Sequence, residues 1–363
     1  MPTTTETTKQ GWQKLKLGEV CDLKTGKLNS NAAVIGGQYP FFTCAQQIYE
    51  IDSYAFDQEC VLLGGNNANG IYPLFYFNGK FNAYQRTYIL SAKKNNTLNY
   101  RFLYYMLRQK LEELRTSSTG AATKFLTLNI INPLEILLPP FQAQNKIAEV
   151  LGAYDDLIEV NQKKIKILEE LAQSIYKEWF VKPTQNGIPD GWEITTLGKI
   201  ADIKWGDTST TKQSYILDGY DAFSASGLDG KLDHFDYEKD GIVLSAIGAN
   251  CGLTWLAKGK WSCIKNTIRI IEKVPEVSIE YLYLVTSKPN YWRRRGAAQP
   301  FISQTEANTY PVLKPETSIL KDFTSLVRPI YNEISHLIKQ NQNLQKTRDI
   351  LIPQLVGGNL LLK

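Results

Sequence analysis

Two stretches of this chain spell one pattern. GWQKLKLGEVCDLKTGK begins at Gly11 and GWEITTLGKIADIKWGD at Gly191. Seven identities fall at a single offset: Gly11/Gly191, Trp12/Trp192, Leu17/Leu197, Gly18/Gly198, Asp22/Asp202, Lys24/Lys204 and Gly26/Gly206. Chance supplies one or two such matches in so short a block, so the chain is internally duplicated. The two halves must therefore fold alike.

The echo continues downstream. Tyr39-Pro40-Phe41-Phe42-Thr43 answers Tyr220-Asp221-Ala222-Phe223-Ser224, and Asp52 to Leu63 answers Asp233 to Leu244. Asn69 answers Asn250, and Gly120-Ala121-Ala122 with Phe125 answers Gly296-Ala297-Ala298 with Phe301. Each half reads as mixed short strands and turns, from β-branched and aromatic runs such as YQRTYIL and NTIRIIEK. Each carries one helical stretch near its end, NYRFLYYMLRQKLEELR and SIEYLYLVTSKPNYWRR.

A long helix is predicted after each half. The first spans about Phe141 to Val181, with an apolar seam of Ile147, Leu151, Tyr154, Ile158, Asn161, Ile165, Leu168, Ala172, Ile175 and Trp179. The second spans about Ser318 to Val356, with a seam of Val327, Ile330, Ile334, Leu337, Asn341, Leu344, Arg348, Leu351 and Leu355. Steps of three and four sustained over several heptads are a coiled-coil pattern. Pro329 and Pro353 predict a kink or fray at each site. A helix of about 40 residues spans ~60 Å, too long for one small domain. The residues expected to pair the helices are Ile158, Asn161, Ile165, Leu168, Ile175, Ile334, Leu337, Asn341, Leu344 and Leu351. Asn161 and Asn341 either fix register as buried polar groups or sit solvated at the seam edge.

The expected fold is α+β: two tandem, pseudo-symmetric globular α/β domains separated by two long helices that form an antiparallel coiled coil. The segments are a disordered leader at 1–10, a first head at 11–140, a helical region at 141–184, a second head at 185–315 and a helical region at 316–363. No apolar run reaches the ~18–20 residues that span a bilayer, and MPTTTETTKQ has no apolar signal segment, so the expected location is cytoplasmic.

Catalytic signatures are missing. The chain has no GxxxxGK[ST], no GxGxxG after a strand, no HExxH and no GxSxG. GGNNANG at 64–70 and AIGANCG at 246–252 read as turns. Asn132-Pro133-Leu134 and Leu138-Pro139-Pro140-Phe141 each hold only part of an adenine methyltransferase motif. Pro189-Asp190 with Glu193 lacks the lysine of a nuclease site. The five cysteines show no CxxC spacing and read as reduced, mostly buried thiols, and His234 and His336 have no metal-ligand neighbours. The net charge of +5 leans toward polyanions.

The duplication, the heptad helices and three strings together resemble the specificity subunit of type I restriction–modification enzymes. The strings are the Gly-Trp and Leu-Gly pairs at Gly11 and Gly191, LLPPFQAQNKIAEVLGAYDDLIEVNQKKIKILEELAQSIYKEWF at the first junction, and NLQKTRDILIPQLVGGNL near the C-terminus. Ala143-Gln144 stands where the family has Glu-Gln, and the second junction lacks that glutamine. The resemblance implies a non-catalytic chain whose heads are target recognition domains, each reading one half of a split, asymmetric site in double-stranded DNA. It implies helices that set the spacer and dock two copies of a modification subunit, which brings S-adenosylmethionine. A restriction (motor-nuclease) subunit would add ATP and Mg chemistry, leaving no cofactor or metal to this chain.

Arg or Lys suits guanine and phosphate, and Asn or Gln suits adenine. The first head's candidates for DNA contact are Lys24, Lys27, Asn29, Gln46, Asn66, Asn67, Arg86 and Lys124. The second head's are Lys204, Lys212, Ser226, Asn250, Lys265, Asn266, Arg293, Arg294, Arg295 and Gln299. Arg293 to Arg295 form the densest basic run. Lys24 and Lys204 either hold phosphate in both heads or flank a shared turn. Trp12 and Trp192 read as core residues, since both heads share them. Two alternatives stand beside this reading: a DNA-modifying enzyme with an unrecognised site, and a coiled-coil scaffold that reads no DNA.

Overall fold

The computed structural model describes residues 11–363 apart from 68, 69, 121, 122, 297, 361 and 363. Met1 to Gln10, Asn69, Ala121, Ala122 and Ala297, which figure in the reading above, lie outside the described residues. The chain is mixed helix and strand, and it divides into two units. The first takes residues up to Val160 together with 341–363, and the second takes Asn161–Gln340. Each long helix therefore contributes a segment to both units.

The first unit is built on a six-stranded sheet in the order Cys21–Thr25, Thr87–Ala92, Phe56–Gly64, Leu74–Ala83, Tyr39–Phe42, Tyr49–Ile51. All neighbours pair antiparallel except Tyr39–Phe42 beside Leu74–Ala83. Gln13–Lys16 pairs separately with Glu135–Leu138. The second unit repeats this order in two smaller sheets. One is Ala201–Trp205, Thr267–Glu272, Gly241–Ser245, Thr254–Ala257, and the other is Gly227–Leu232, Tyr220–Ser224, Trp261–Cys263. Glu193–Thr196 pairs with Pro311–Lys314, as Gln13–Lys16 does with its partner.

One break accounts for the difference. Leu74–Ala83 runs through Gly79 as a single strand, because its nine-residue partner Phe56–Gly64 pairs on both sides of that glycine. The equivalent partner Gly241–Ser245 has five residues. Just before it, Asp240 accepts the Gly259 N–H (3.0 Å) and pairs with Lys258 (2.8 Å), fixing a turn where the first unit has strand.

The duplicated glycines are places of close approach. A Cβ on Gly18 or Gly198 would lie 2.8 or 2.3 Å from Oδ1 of Asn132 or Asn308. On Gly26 or Gly206 it would meet the carbonyl oxygen of Ala83 (1.8 Å) or Cys263 (2.6 Å). Leu17 and Leu197 donate their N–H to the carbonyls of Leu134 (2.9 Å) and Tyr310 (2.8 Å), closing each unit the same way. Asn132 is thus a packing partner of Gly18.

The helical stretch of the first half forms Tyr100–Ser117, capped by Asn99. Its counterpart is shorter than expected. It spans Ile279–Thr286 rather than reaching Arg294, because Pro289 lacks an N–H and disfavours helix before it. GGNNANG is not wholly a turn, since Asn66–Asn67 pairs with Lys124–Phe125.

The first long helix spans Phe141–Tyr176 and ends in a π turn, Lys177–Val181. The second spans Thr317–Val356 without the breaks expected at Pro329 and Pro353. Buried Phe323, Val327, Tyr331 and Ile334 hold the helix on both sides of Pro329, and such packing outweighs one lost hydrogen bond. In the second unit Asn161 meets Gln340 (2.9 Å), Lys164 meets Glu333 (2.6 Å) and Tyr176 faces Phe323. Rising numbers on one helix meet falling numbers on the other, so these segments run antiparallel. In the first unit Ile147 and Leu151 share a core with Ile352 and Leu355, and Asp155 pairs with Arg348.

Both helices are anchored by their heads. Gln144 is 1% exposed. Its Nε2 donates to the carbonyls of Pro139 (2.9 Å) and Thr97 (3.1 Å), and its Oε1 accepts from the Asn99 N–H (2.9 Å). The second junction has no such glutamine. There Phe180 packs among Phe323 (4.7 Å), Tyr281 (4.9 Å) and Trp192 (5.8 Å between centroids). The fully buried Glu280 pairs with Lys258 (3.0 Å) and Arg328 (3.3 Å). Burial opposes its charge, but these cations outweigh that and hold its carboxyl below the usual range.

All five cysteines are free. Burial pushes the thiols of Cys21, Cys60 and Cys263 up to about 12, so they stay protonated at neutral pH. Among the described residues no helix is long and apolar enough to cross a membrane, and no group of His, Cys, Asp and Glu could hold a metal.

Candidate nucleic-acid interface

In the first unit several candidates converge on one loop cluster. The turn Tyr84–Arg86 is tied down on all sides. Gln85 N–H donates to Leu28 O (2.9 Å), Gly65 N–H to Arg86 O (2.7 Å), and Tyr84 N–H to Phe42 O (2.9 Å). Asn29 joins from the side, its Oδ1 accepting from Gln85 Nε2 (2.8 Å). Asn66 and Asn67 pair with Phe125 and Lys124, and the Arg86 guanidinium lies over the Phe125 ring at 5.1 Å. Gln46 reaches the neighbouring loop, donating to Ile71 O (3.3 Å).

Two candidates there are constrained. Asn66 keeps Oδ1 buried without a hydrogen-bond partner, so only its amide nitrogen is free to face a ligand. Gln46 spends a donor on backbone. Lys24 and Lys27 are exposed, Lys24 on its strand opposite Ile89 and Lys27 just beyond Gly26.

The second unit builds a related turn. Ile264 N–H donates to Phe223 O (2.9 Å), Lys265 N–H to Thr210 O (3.4 Å), and Ala246 N–H to Asn266 O (2.9 Å). The side chains differ, Lys265 and Asn266 standing where Gln85 and Arg86 stand. Asn266 adopts a left-handed backbone (φ 70°), which asparagine tolerates well. Phe301, the counterpart of Phe125, is left 40% exposed.

Other candidates of this unit are occupied. Lys212 pairs with Asp229, which also accepts from Ser224 (2.6 Å) and Tyr215 (2.9 Å). Burial opposes the Asp229 charge, yet Lys212 and the two hydroxyls prevail and lower its pKa. Ser226 lies beside Lys212 (3.4 Å), and Asn250 donates to Ala225 O (3.1 Å). Lys204 approaches Asp202 at 4.0 Å, an exposed pair of little energetic weight.

The basic run is divided by its backbone. Arg293 and Arg295 line one surface cleft with Glu306 and Tyr310. Arg294 lines another with Glu169 and Lys288. Arg295 is paired with Glu306 (3.2 Å), and the Arg293 backbone is held by Tyr310 Oη (2.6 Å). Gln299 is exposed.

Trp12 is buried and Trp192 packs on Phe180, so both serve the core. Among the helix positions Ile158, Asn161, Ile334, Leu337 and Asn341 are buried, while Ile165, Leu168, Ile175, Leu344 and Leu351 are half-buried. Sequence reasoning missed Phe125, which positions Arg86, and Asp229, which neutralises Lys212. Both act through pairings distant in sequence.

The chain can now be set beside known proteins. Residues 9–170 match the family model for the type I restriction modification DNA specificity domain. The chain is 32% identical to the type I restriction enzyme EcoDI specificity subunit of Escherichia coli, over 53% of this chain and 49% of that protein. It therefore spans about half the length of that relative. It is 26% identical to the MjaIX specificity subunit of Methanocaldococcus jannaschii, over 71% of this chain and 68% of that one. The fold is shared with the type I restriction–modification S subunit from M. genitalium (TM-score 0.67, 18% identity, 98% of both chains). The chain is thus similar to the type I restriction–modification specificity subunits, and the likeness to the family's specificity domain lies in its residues 9–170.

Proposed function

We propose that this chain is the non-catalytic, DNA-reading specificity subunit of a type I restriction–modification complex. Each head, 11–140 and 185–315, reads one half of a split, asymmetric site, and the two stand in pseudo-twofold relation. The helical regions 141–184 and 316–363 pair as an antiparallel coiled coil, fix the gap between half-sites and dock two methyltransferase subunits. Those subunits bring S-adenosylmethionine, and a restriction subunit brings ATP and Mg. This chain itself needs no cofactor.

The observation that carries the reading is the recurring turn. Two corresponding backbone hydrogen bonds hold the turns at Gln85-Arg86 and Lys265-Asn266 in equivalent places, while the side chains, and the left-handed backbone of Asn266, differ. A common scaffold with divergent polar tips suits two heads that read different bases. Two readers carried on one chain make the gap between half-sites part of the specificity. Docking is supported by exposed apolar residues on the first long helix, Leu157 and Val160 in the first unit and Ile167 and Leu171 in the second.

The test is methylation mapping. Co-expressed with its methyltransferase subunit, the chain should direct adenine methylation to a two-part motif with a constant gap. Methylation at a continuous motif, or none, would leave a scaffold as the better reading.

A further inference from the structure

Resting on that DNA-reading function, we propose that Arg86 determines one base of the first head's half-site, as a bidentate reader of guanine. A surface arginine is ordinarily a solvated charge, and three observations set this one apart.

The first is its mounting. The Arg86 carbonyl accepts from Gly65 N–H (2.7 Å) and Cys44 Sγ (3.4 Å), and the flanking Thr87 hydroxyl donates to Phe42 O (3.3 Å). The backbone at Arg86 is therefore held by two separate segments, Phe42–Cys44 and Gly65. A reader must be held this firmly, because discrimination depends on placing a planar fork against a base edge.

The second is the state of its charge. Arg101, Arg269, Arg295, Arg328 and Arg348 each meet a carboxylate within 3.3 Å. Like Arg293 and Arg294, Arg86 meets none among the described residues, but it differs from those two in lying over a ring, Phe125, at 5.1 Å. Ring stacking restricts the side chain without using its N–H donors. The guanidinium is thus oriented, exposed and unspent. Phe125 is itself fixed by its backbone pairing with Asn66 and Thr119.

The third is the comparison between units. The corresponding turn in the second unit carries Asn266 in a left-handed backbone, and Phe301 is 40% exposed there. Phe125 and Phe301 occupy one structural position, so the ring belongs to the shared frame. The arginine is what the first unit adds to it.

Methylation mapping of wild type, Arg86→Gln and Arg86→Lys tests the assignment, with thermal melting of each as a control for folding. The wild-type motif should contain a G·C pair in the first head's half-site. In Arg86→Gln, preference for that pair should fall about 10- to 100-fold, the range for one bidentate contact, while the other half-site and the gap stay unchanged. Lysine keeps the charge but not the fork, so Arg86→Lys should also lose discrimination. The assignment is overturned if Arg86→Lys behaves as wild type, or if Arg86→Gln weakens methylation evenly without altering the motif. Either result makes Arg86 a phosphate contact. A first half-site without a G·C pair overturns it as well. A wild-type chain that directs no split motif refutes the underlying function instead, and this assignment with it.

Discussion

Replacing Gln144 with leucine removes the clamp at the start of the first long helix while nearly preserving its volume. Three hydrogen bonds vanish: Asn99 N–H to Oε1, and Nε2 to the carbonyls of Thr97 and Pro139. A typical intramolecular hydrogen bond contributes about 1 kcal/mol net, and a buried group left unpaired costs about 1–3 kcal/mol. The Pro139 bond is buried and the other two are partly so, which allows some rehydration. The expected loss is about 3 kcal/mol. For a unit of this size it corresponds to a fall in melting temperature of about 6–12 °C. Calorimetry of wild type and Gln144→Leu measures the total. Hydrogen exchange locates it, since the Asn99 amide should lose protection ahead of the sheet amides. A melting shift under about 2 °C, with Asn99 still protected, would refute the view that this glutamine fastens helix to head.

Three further outcomes follow from the same contacts. Glu280 has a folded pKa below its unfolded value of about 4.5, so its contribution is full above that value and is lost as pH falls through the folded pKa. Glu280→Gln should therefore flatten the acid limb of the stability curve below about pH 4.5, as read by urea melts across pH. Gly26→Ala drives a Cβ into the Ala83 carbonyl and should cost at least about 2–3 kcal/mol in urea unfolding, with Gly206→Ala acting likewise on the second unit. Arg348→Met leaves Asp155, partly open to solvent, beside Tyr105 and should cost about 1–3 kcal/mol, and a double-mutant cycle with Asp155→Asn should recover a large part of it.

What the sequence displays clearly is whatever repeats with a short period. The Gly18/Gly198 and Gly26/Gly206 pairs mark backbone approaches that each half needs, and the step of three and four picked out Leu151, Ile158 and Leu337 as buried. Tyr176 and Phe180 escaped the seam, because near the helix end the burying surface is the head's aromatic core. The site was legible only as a list. Lys212 looks as free as Arg86 in one dimension, and only strand pairing brings Asp229 to the former and Phe125 to the latter. Arg293 to Arg295 read as one cationic group, but Arg293 and Arg295 line one cleft and Arg294 another. The split of the second sheet turns on Asp240 capping Gly259, a contact no local propensity announces.

The division of the chain also fixes an order of events during folding. The second unit is one uninterrupted run, whereas the first needs residues from both ends of the sequence. A chain leaving the ribosome holds everything the second unit requires while Ile352, Leu355 and Val356 are still to come. Until they arrive, the core they share with Ile147, Leu151 and Phe102 remains incomplete. When the second unit folds, Asn161 and Gln340 come to 2.9 Å, so residue 341 is delivered to residue 160. That spares the first unit a loop closure whose length-dependent cost is about 4–5 kcal/mol. The half synthesised first thus completes its core only with the residues made last, and prior folding of the inserted unit would shorten the closure it needs.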